Sequence, residues 1–473
     1  MKTESHSAPL ISLALLSASA LGTELYLVRL FAIIQWHHAA YMIISLALLG
    51  YGISGSVLAL SRNYLLKHFK FIYPSLITVF ALILPTCLWI VQRLDFNAEL
   101  LLWRVDAWAG LAGTYLLLTL PFLVAAMAIG LVLDACRSSI TRLYAADLTG
   151  AGIGALTMVM FMQVLPIDRL PVVLVILSLF GAAIALMELR HHKTRYAFLI
   201  LAVSMMLWFL PDKIFQPQVS EFKPLSQTLR IKDTQLVQES SGPLGLLSVV
   251  KSPTVPFRHA PGLSFSTPVI PGEQLALFHD AGAMSAINRI DSAKHAIWFD
   301  WMPSALPYHT DKPARVLIAG AGGGMDAQQA LMLSEAVIDI VEPDHQHIEL
   351  IRDRYGEWSG LGDRADPRIS FYSADIREYL SQSDVRYDLI ILAGGEAGTA
   401  GLQSLDTRYA HTVNAYREYL YHLTTDGHIV ITSWLQLPPR TVLKQVASAA
   451  QALRENGIAN PGNNLMLIRS LQT

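Results

Sequence analysis

Glu342 ends an apolar run, Ile338 to Val341, that follows the glycine-rich turn Gly320-Ala321-Gly322-Gly323-Gly324; that turn itself ends an earlier apolar run, Val316 to Ala319. A carboxylate at the carboxyl end of the second strand can accept both hydrogen bonds of a ribose diol. Gly320 and Gly322 let the backbone turn tightly and approach the sugar, because a Cβ at either point would collide with it. Residues 315–344 therefore predict a β-α-β nucleoside-binding unit. A dinucleotide site wants G-x-G-x-x-G, whose last glycine clears room for helix, strand and pyrophosphate. Here the sixth position is Met325, and Gly324 completes G-x-G-x-G. A purely structural αβ turn would also use glycine.

The following segments repeat the pattern of an apolar run ending in an acid. The run Ile369-Ser370-Phe371-Tyr372 leads to Asp375, and Tyr387 to Leu392 leads through two glycines to Glu396. In open α/β sheets, ligands bind at such carboxyl ends. A further strand is expected at Gly427 to Trp434, entered through a turn at Thr424 to Gly427. Helical periodicity at Ala410 to Leu423 and Thr441 to Asn456 predicts a doubly wound sheet, with one more strand at Asn464 to Ser470.

The elements before this domain are of another kind. The chain has 473 residues, 53% of them hydrophobic, and its mean hydropathy of +0.40 comes from the half between Ala8 and about Pro211. Apolar stretches there predict seven spans: Ala8 to Ile34, Ala39 to Leu60, Phe71 to Val91, Trp108 to Leu133, Leu148 to Pro166, Leu170 to Met187 and Tyr196 to Leu210. Most reach the ~20 residues a bilayer core needs, and the last is short. Lys2, Arg62, Lys67, Lys70, Arg137, Arg142, Arg190, Lys193 and Arg195 then fall on one face, against Arg93, Arg104 and Arg169 on the other. Seven crossings put the soluble part opposite the basic loops, outside the cytoplasm. The expected localisation, a multi-pass inner-membrane protein with a cytoplasmic soluble domain, requires that one stretch not cross.

Net charge of −2 gives no basic face for nucleic acid. Cys87 and Cys136, the two cysteines, both lie in the membrane half, so the soluble part has neither a disulfide framework nor a thiolate metal site, and no metal is expected. The pairs His37-His38 and His191-His192 lack metal-ligand spacing. Glu24 and Arg29 are ionisable groups in the first span, read as a structural pair, as snorkelled ends or as a functional polar site. Asp147 beside Gly150, Gly152 and Gly154 reads as close helix packing.

The G-x-G-x-G form resembles the first motif of class I S-adenosylmethionine-dependent transferases, whose ligand carries no phosphate to seat on the helix N-terminus. From about Leu236 onward the resemblance becomes specific. The strand-like segments GLLSVVKSP, QLALFHDAG and AMSAINRI, then WFDWMPSALPYH, VLIAGAGGG, IVEPD, SADIREYL and YDLIIL, resemble in order the spermidine synthase (aminopropyltransferase) family. With the apolar N-terminal half, the chain is similar to the membrane-bound spermidine synthase-like proteins of bacteria.

That resemblance implies Gly320, Ala321, Gly322, Gly323 and Gly324 for the cofactor turn, Glu342 for the ribose, and Asp375 with Ile376 for adenine. The substrate side departs from the family. Asp280 is kept, but Met284 replaces a substrate-binding glutamine, and Trp298, Phe299 and Asp300 stand for Tyr-His-Glu. Gly323 replaces an aspartate that holds the aminopropyl amine, which removes a repulsion against the carboxylate of intact adenosylmethionine. The catalytic aspartate falls on Ala393, leaving Glu396 as the remaining candidate base. Asp280, Asp300 and Tyr409 are the candidate substrate-side residues.

The expected architecture is a polytopic α-helical membrane domain (1–211), a linker and small β-rich domain (212–310), and a Rossmann-like α/β domain (311–473). The implied ligand is S-adenosylmethionine or its decarboxylated form. The partners are a small acceptor, an amine or lipid-proximal nucleophile, and membrane lipid; homo-oligomerisation stays open. Three functions remain: a membrane-anchored alkyl transferase, a sensor that kept the nucleoside pocket but lost catalysis, and a transporter or scaffold with a regulatory domain.

Overall fold

The computed structural model describes residues 8–35, 38–94, 100–101, 103–189, 194–209, 212–290, 293–362, 366–392, 409–433 and 440–469. It divides into two compact units, Met1–Ser220 with Ser241–Pro243, and Glu221–Ser240 with Leu244–Thr473.

The first unit is helical: α1 Leu10–Ile34, α2 His38–Lys67, α3 Phe69–Val91, α4 Asp106–Ala135, α5 Ile140–Val164, α6 Leu170–Leu189 and α7 Thr194–Met206. Six of these, α1 to α6, are long and apolar enough to cross a membrane. The seventh expected span is a shorter helix of 13 residues, extended by a 3-10 turn at Leu207–Phe209. Leu13, Leu65, Phe69, Cys136, Leu143 and Ala185 share one core cluster. That cluster joins the start of α1 to the end of α2, the start of α3 and the end of α6, as in an up-and-down bundle.

Polar groups bind α1 to its neighbours. Glu188, at the end of α6, accepts from the amides of Ile11 (3.0 Å) and Ser12 (3.3 Å) and from the Ser12 hydroxyl (2.6 Å). Those amides have no partner inside the helix, and a carboxylate suits the positive end of its dipole. The Ser17 hydroxyl donates to Asp147 on α5. Arg29, fully buried, donates from Nε to the carbonyl of Gly242 at 3.1 Å. Helices α1 and α5 meet at glycines: a Cβ on Gly150 would enter the Ala14 backbone and one on Gly154 the Ala18 backbone, whereas one on Gly152 would meet nothing.

The second unit holds two sheets. Strands β1 (Gln235–Ser241), β2 (Leu246–Lys251), β3 (Gln274–His279) and β4 (Met284–Asn288) lie in that order, with β2, β3 and β4 antiparallel. The other sheet has the order β7-β6-β5-β8-β9, all parallel: β5 Arg315–Ala319, β6 Val337–Val341, β7 Ile369–Tyr372, β8 Tyr387–Leu392 and β9 Leu423–Ile431. Alternation fixes its two faces. Val316, Ile318, Ile338, Ile340, Leu389 and Ile391 pack in one core with Leu247, Leu275 and Ile287 of the small sheet. Leu317, Val341, Ile390 and Leu392 pack on the other face with Ile376, Tyr416 and Ala452. Chain reversal between β5 and β8 puts the topological switch point at the carboxyl end of β5, where the glycine turn lies.

Two expectations change. Thr424 to Gly427 is no turn but the first part of β9, which takes up the extra residues as a register shift against β8 between Tyr387 and Leu389. The strand expected at Asn464 to Ser470 is absent among the described residues, where a 3-10 turn, Pro461–Asn464, leads into irregular chain. The strand β1 was hidden because its apolar positions are few.

Substituting the two glycines tests the α1–α5 contact. Gly150→Leu should destabilise the helical unit by about 1 to 3 kcal/mol, the usual cost of overpacking, and lower the thermal midpoint in detergent. Gly152→Leu, on the same helix but facing open space, should leave it unchanged; equal effects would remove the contact from the account.

Candidate nucleoside-binding site

Strand β5 delivers the chain into a turn with positive φ at Gly320 (94°), Gly322 (49°) and Gly324 (84°). The amide of Gly320 donates to the Val341 carbonyl at 2.8 Å, tying the turn to the end of β6. Gly324, left-handed, is the N-cap of the helix Met325–Leu333. Gly323 is required for another reason: a Cβ there would run into the Ala286 backbone of β4. A Cβ on Gly322 would meet nothing within 4 Å, so the turn has free space above it there.

Glu342 is 9% exposed and faces the turn. Its Oε2 accepts from the Ala321 amide at 2.9 Å and pairs with His347 Nδ1 at 3.4 Å, while Oε1 accepts from the Asp344 amide at 3.1 Å. A carboxylate offers about four acceptor positions, so one is left for a ribose hydroxyl instead of the expected two. Burial alone would raise this carboxyl, but the His347 charge and hydrogen bond and the two amides reverse that and hold it at about 2. His347 reaches the turn from its other nitrogen, with Nε2 at 2.7 Å from the Gly322 carbonyl. Burial works against its charged form, yet Glu342, the Gly322 carbonyl and Asp344 outweigh it and raise its pKa.

The other expected residues are placed as follows. Asp375 is exposed at the end of β7 and caps the helix Ile376–Ser381 by accepting from the Arg377 amide at 2.8 Å. Ile376 is 5% exposed and packs with Leu380 in the core below, which leaves its backbone, not its side chain, for an adenine ring. Asp280 is buried in the β3–β4 turn: Oδ1 accepts from the Leu246 amide at 2.8 Å, and buried Lys223 donates to its carbonyl at 2.6 Å. Its carboxylate is thus engaged in holding the turn. Asp300 is paired with His309 at the surface, at 2.5 Å. Tyr409 is 56% exposed in a short 3-10 turn. Glu396 and Ala393 lie outside the described residues.

Two groups near the turn escaped the sequence reading. His347 stands three residues after the capping Asp344 and reaches back to the Gly322 carbonyl of the turn. Asp326, in the first turn of the glycine-capped helix, has its carboxyl pushed up to about 6 by burial. Its charge acts on buried Tyr308, whose hydroxyl has no partner among the described residues. Among the described residues no group of His, Cys, Asp and Glu is arranged to hold a metal.

No family model matches the chain. Over 126 residues, 26% of its length, it is 28% identical to the polyamine aminopropyltransferase of Korarchaeum cryptofilum, of which the match covers 36%. Over 124 residues it is 30% identical to polyamine aminopropyltransferase 2 of Bacillus anthracis, covering 33% of that protein. Over 80 residues it is 35% identical to the polyamine aminopropyltransferase of Streptococcus pneumoniae, covering 27%. The chain thus spans about a third of the length of the curated relatives it matches. A solved spermidine synthase in complex with the transition state analogue AdoDATO aligns over 46% of this chain and 63% of its own, at 16% identity and a TM-score of 0.30. Spermidine synthase from Thermotoga maritima aligns over 48% and 64%, with the same identity of 16% and the same TM-score of 0.30. Over these segments the chain is similar to polyamine aminopropyltransferases, the resemblance that its ordered motifs carry.

Asp280 and Ala281 both have positive φ, 48° and 56°. For alanine this conformation is strained, whereas glycine adopts it freely. Ala281→Gly should therefore stabilise the second unit by about 1 kcal/mol. Gly323→Ala should instead destabilise it by about 1 to 3 kcal/mol by forcing β4 away. Both are read from thermal midpoints; a lower midpoint for Ala281→Gly and an unchanged or higher one for Gly323→Ala would mean that the turns are wrongly placed.

Proposed function

We propose that the protein is a membrane-anchored transferase of the aminopropyltransferase kind, whose α/β unit binds S-adenosylmethionine or its decarboxylated form. The observation that carries this is Glu342, set at the carboxyl end of β6 and bonded to the Ala321 amide of the turn after β5. It brings an acceptor for a ribose hydroxyl beside a turn with free space at Gly322. The similarity to polyamine aminopropyltransferases supports the same ligand class. On this reading Glu342 and the Gly320–Gly324 turn hold the ribose, and Asp375 with the Ile376 backbone holds adenine.

A sulfonium donor supplies an alkyl carbon: the acceptor nitrogen bonds to it, the C–S bond breaks, and its electron pair returns to sulfur as a neutral thioether. The nitrogen must then lose a proton, for which Glu396 is the proposed base. The second reading, an adenosyl-ligand sensor, is favoured by Ala393, which stands where the family has its catalytic aspartate.

Gly323 is better explained by contact with β4 than by donor choice. The side chain that would discriminate between the two donors has no space in this turn.

Bonds inside the helical unit support seven crossings. Helix α7 and its 3-10 extension reach about 26 Å, close to a bilayer core of roughly 30 Å. At their far end the Trp208 carbonyl accepts from Arg169 in the α5–α6 loop at 3.1 Å. The Ser220 amide then donates to the carbonyl of Ile34 at 2.9 Å, so the chain leaves at the carboxyl end of α1. The basic loops lie at its amino end. With basic loops on the cytoplasmic side, we propose that the chain continues outside the cytoplasm, contrary to the cytoplasmic placement first expected.

Calorimetric titration of the detergent-solubilised chain tests the ligand. Adenosylmethionine, its decarboxylated form or 5′-methylthioadenosine should bind. Asp375→Ala, at an exposed position, should weaken binding by about 1 to 3 kcal/mol, whereas Glu342→Ala also removes a support of the turn. Binding of NAD but of no adenosyl sulfur compound would sink the assignment. Mass spectrometry of putrescine or spermidine reactions then separates enzyme from sensor: product lost in Glu396→Gln supports the enzyme, and product only in Ala393→Asp supports the sensor.

Sidedness has its own test, because Cys87 and Cys136 are buried in the helical unit. Phe265→Cys, at a position 87% exposed, should react with a membrane-impermeant maleimide on intact cells. Labelling only after permeabilisation would return the unit to the cytoplasm.

A further inference from the structure

We infer that His347 is a positioning residue of the nucleoside site: as an imidazolium it clamps the glycine turn to Glu342, and its proton makes ligand binding depend on pH. This rests on the nucleoside reading of the site. The geometry requires the charge. Nε2 faces the Gly322 carbonyl at 2.7 Å and Nδ1 faces the Glu342 carboxylate at 3.4 Å. Both partners are acceptors. A neutral imidazole carries one N–H and can satisfy one of them; only the doubly protonated ring donates to both.

The ring is 7% exposed, so water does not readily replace a lost bond. The charged groups that face it are Glu342 and Asp344, both from the segment after β6. His279 on β3 acts on Asp344 in turn. The Ala321 amide on the same Glu342 oxygen completes a closed path from turn to carboxylate to ring and back to the turn.

The direction of the pH effect follows from the raised basicity of the ring. A group whose folded pKa lies above its unfolded one contributes its full stabilisation below the unfolded value and loses it as pH rises through the folded value. The turn is therefore clamped while the ring is protonated and released as pH rises through its raised folded pKa. Release leaves the site ordered for only part of the time, and apparent affinity falls by that fraction. Glu342 limits the clamp at the other end. Its carboxyl is held at about 2, so the pair survives until strongly acid conditions.

Hydrogen exchange of peptides covering 318–326, read by mass spectrometry in the full-length solubilised protein and corrected for intrinsic pH dependence, tests the clamp without a ligand. As pH rises from about 6, the wild-type turn should lose protection as the ring titrates, with its midpoint above the ordinary imidazole value. His347→Gln, which can still donate to Gly322 but carries no charge, should be less protected at the low-pH end of the series and show no such transition. Cooperative melting of that variant checks that it is folded; if it is not, the wild-type profile decides alone. Titration with 5′-methylthioadenosine should then show wild-type affinity falling about tenfold or more over the same range, with the variant weak and flat. Exchange in the wild-type turn that is independent of pH, or wild-type and variant profiles that coincide, would overturn the inference. A turn that titrates as described in a protein that binds no adenosyl compound would instead overturn the nucleoside reading and leave the clamp standing.

Discussion

The ligand end of the sheet depends on one buried carboxylate. Taking Glu342 out of water is costly, and the cost is offset only because two amides and an imidazolium converge on it. Each of these partners belongs to a different part of the site. Ala321 is the turn after β5, Asp344 begins the segment after β6, and His347 links that segment back to Gly322. The same group that would recognise a sugar therefore also sets the shape of the surface on which the sugar would lie. A ligand hydroxyl adds to an existing network and need not create one, which lowers the ordering cost of binding.

The small sheet supports this network from the other side. Gln274 Nε2 donates to Asn288 Oδ1 at 2.7 Å, Asn288 Nδ2 to Gln328 Oε1 at 2.8 Å, and Gln328 Nε2 to the Ser359 carbonyl at 2.8 Å. These amides are buried and each is partnered, so they fix the register of β4 against the helix that follows the glycine turn. Ala286, two residues earlier on β4, lies against Gly323. The turn is thus bounded by β4 on one side and by Glu342 and His347 on the other, with space left at Gly322. Lower in the sheet, Asp339 takes Arg315 at 3.0 Å and Tyr387 at 2.9 Å. A second buried charge is satisfied there in the same manner, by side chains from β5 and β8.

Strands β2 to β8 and the glycine turn were legible in the sequence because short apolar runs bounded by glycine, proline or charged residues admit few other structures. Other features were not. The role of His347 depends on which way a short helix turns after Asp344, and no spacing rule gives that. Gly323 read as a substitution at a ligand contact, whereas it is a contact with a strand distant in sequence, as close backbone approaches usually are. Thr424 to Gly427 has the composition of a turn, but pairing with β8 overrides local preference. The last apolar stretch was doubtful on length as a crossing, since hydropathy counts residues and does not see that a 3-10 turn adds rise or that Arg169 bonds to the Trp208 carbonyl.

The apolar half shows how polar residues in such helices are used. Glu188 holds the first amides of α1, Asp147 takes Ser17, and Arg29 takes a backbone carbonyl. Unpaired, each would be expensive in a bilayer. Here each joins α1 to another segment, at its beginning, near its middle and toward its end. Together with Gly150 and Gly154 they make α1 the helix around which the unit is assembled. Ionisable residues that carry a transported ion must exchange partners during a cycle, whereas these are tied to main-chain amides, a hydroxyl and a main-chain carbonyl at helix contacts. That use favours an anchor over a transporter, and it leaves the chemistry of the protein to the sheet that follows.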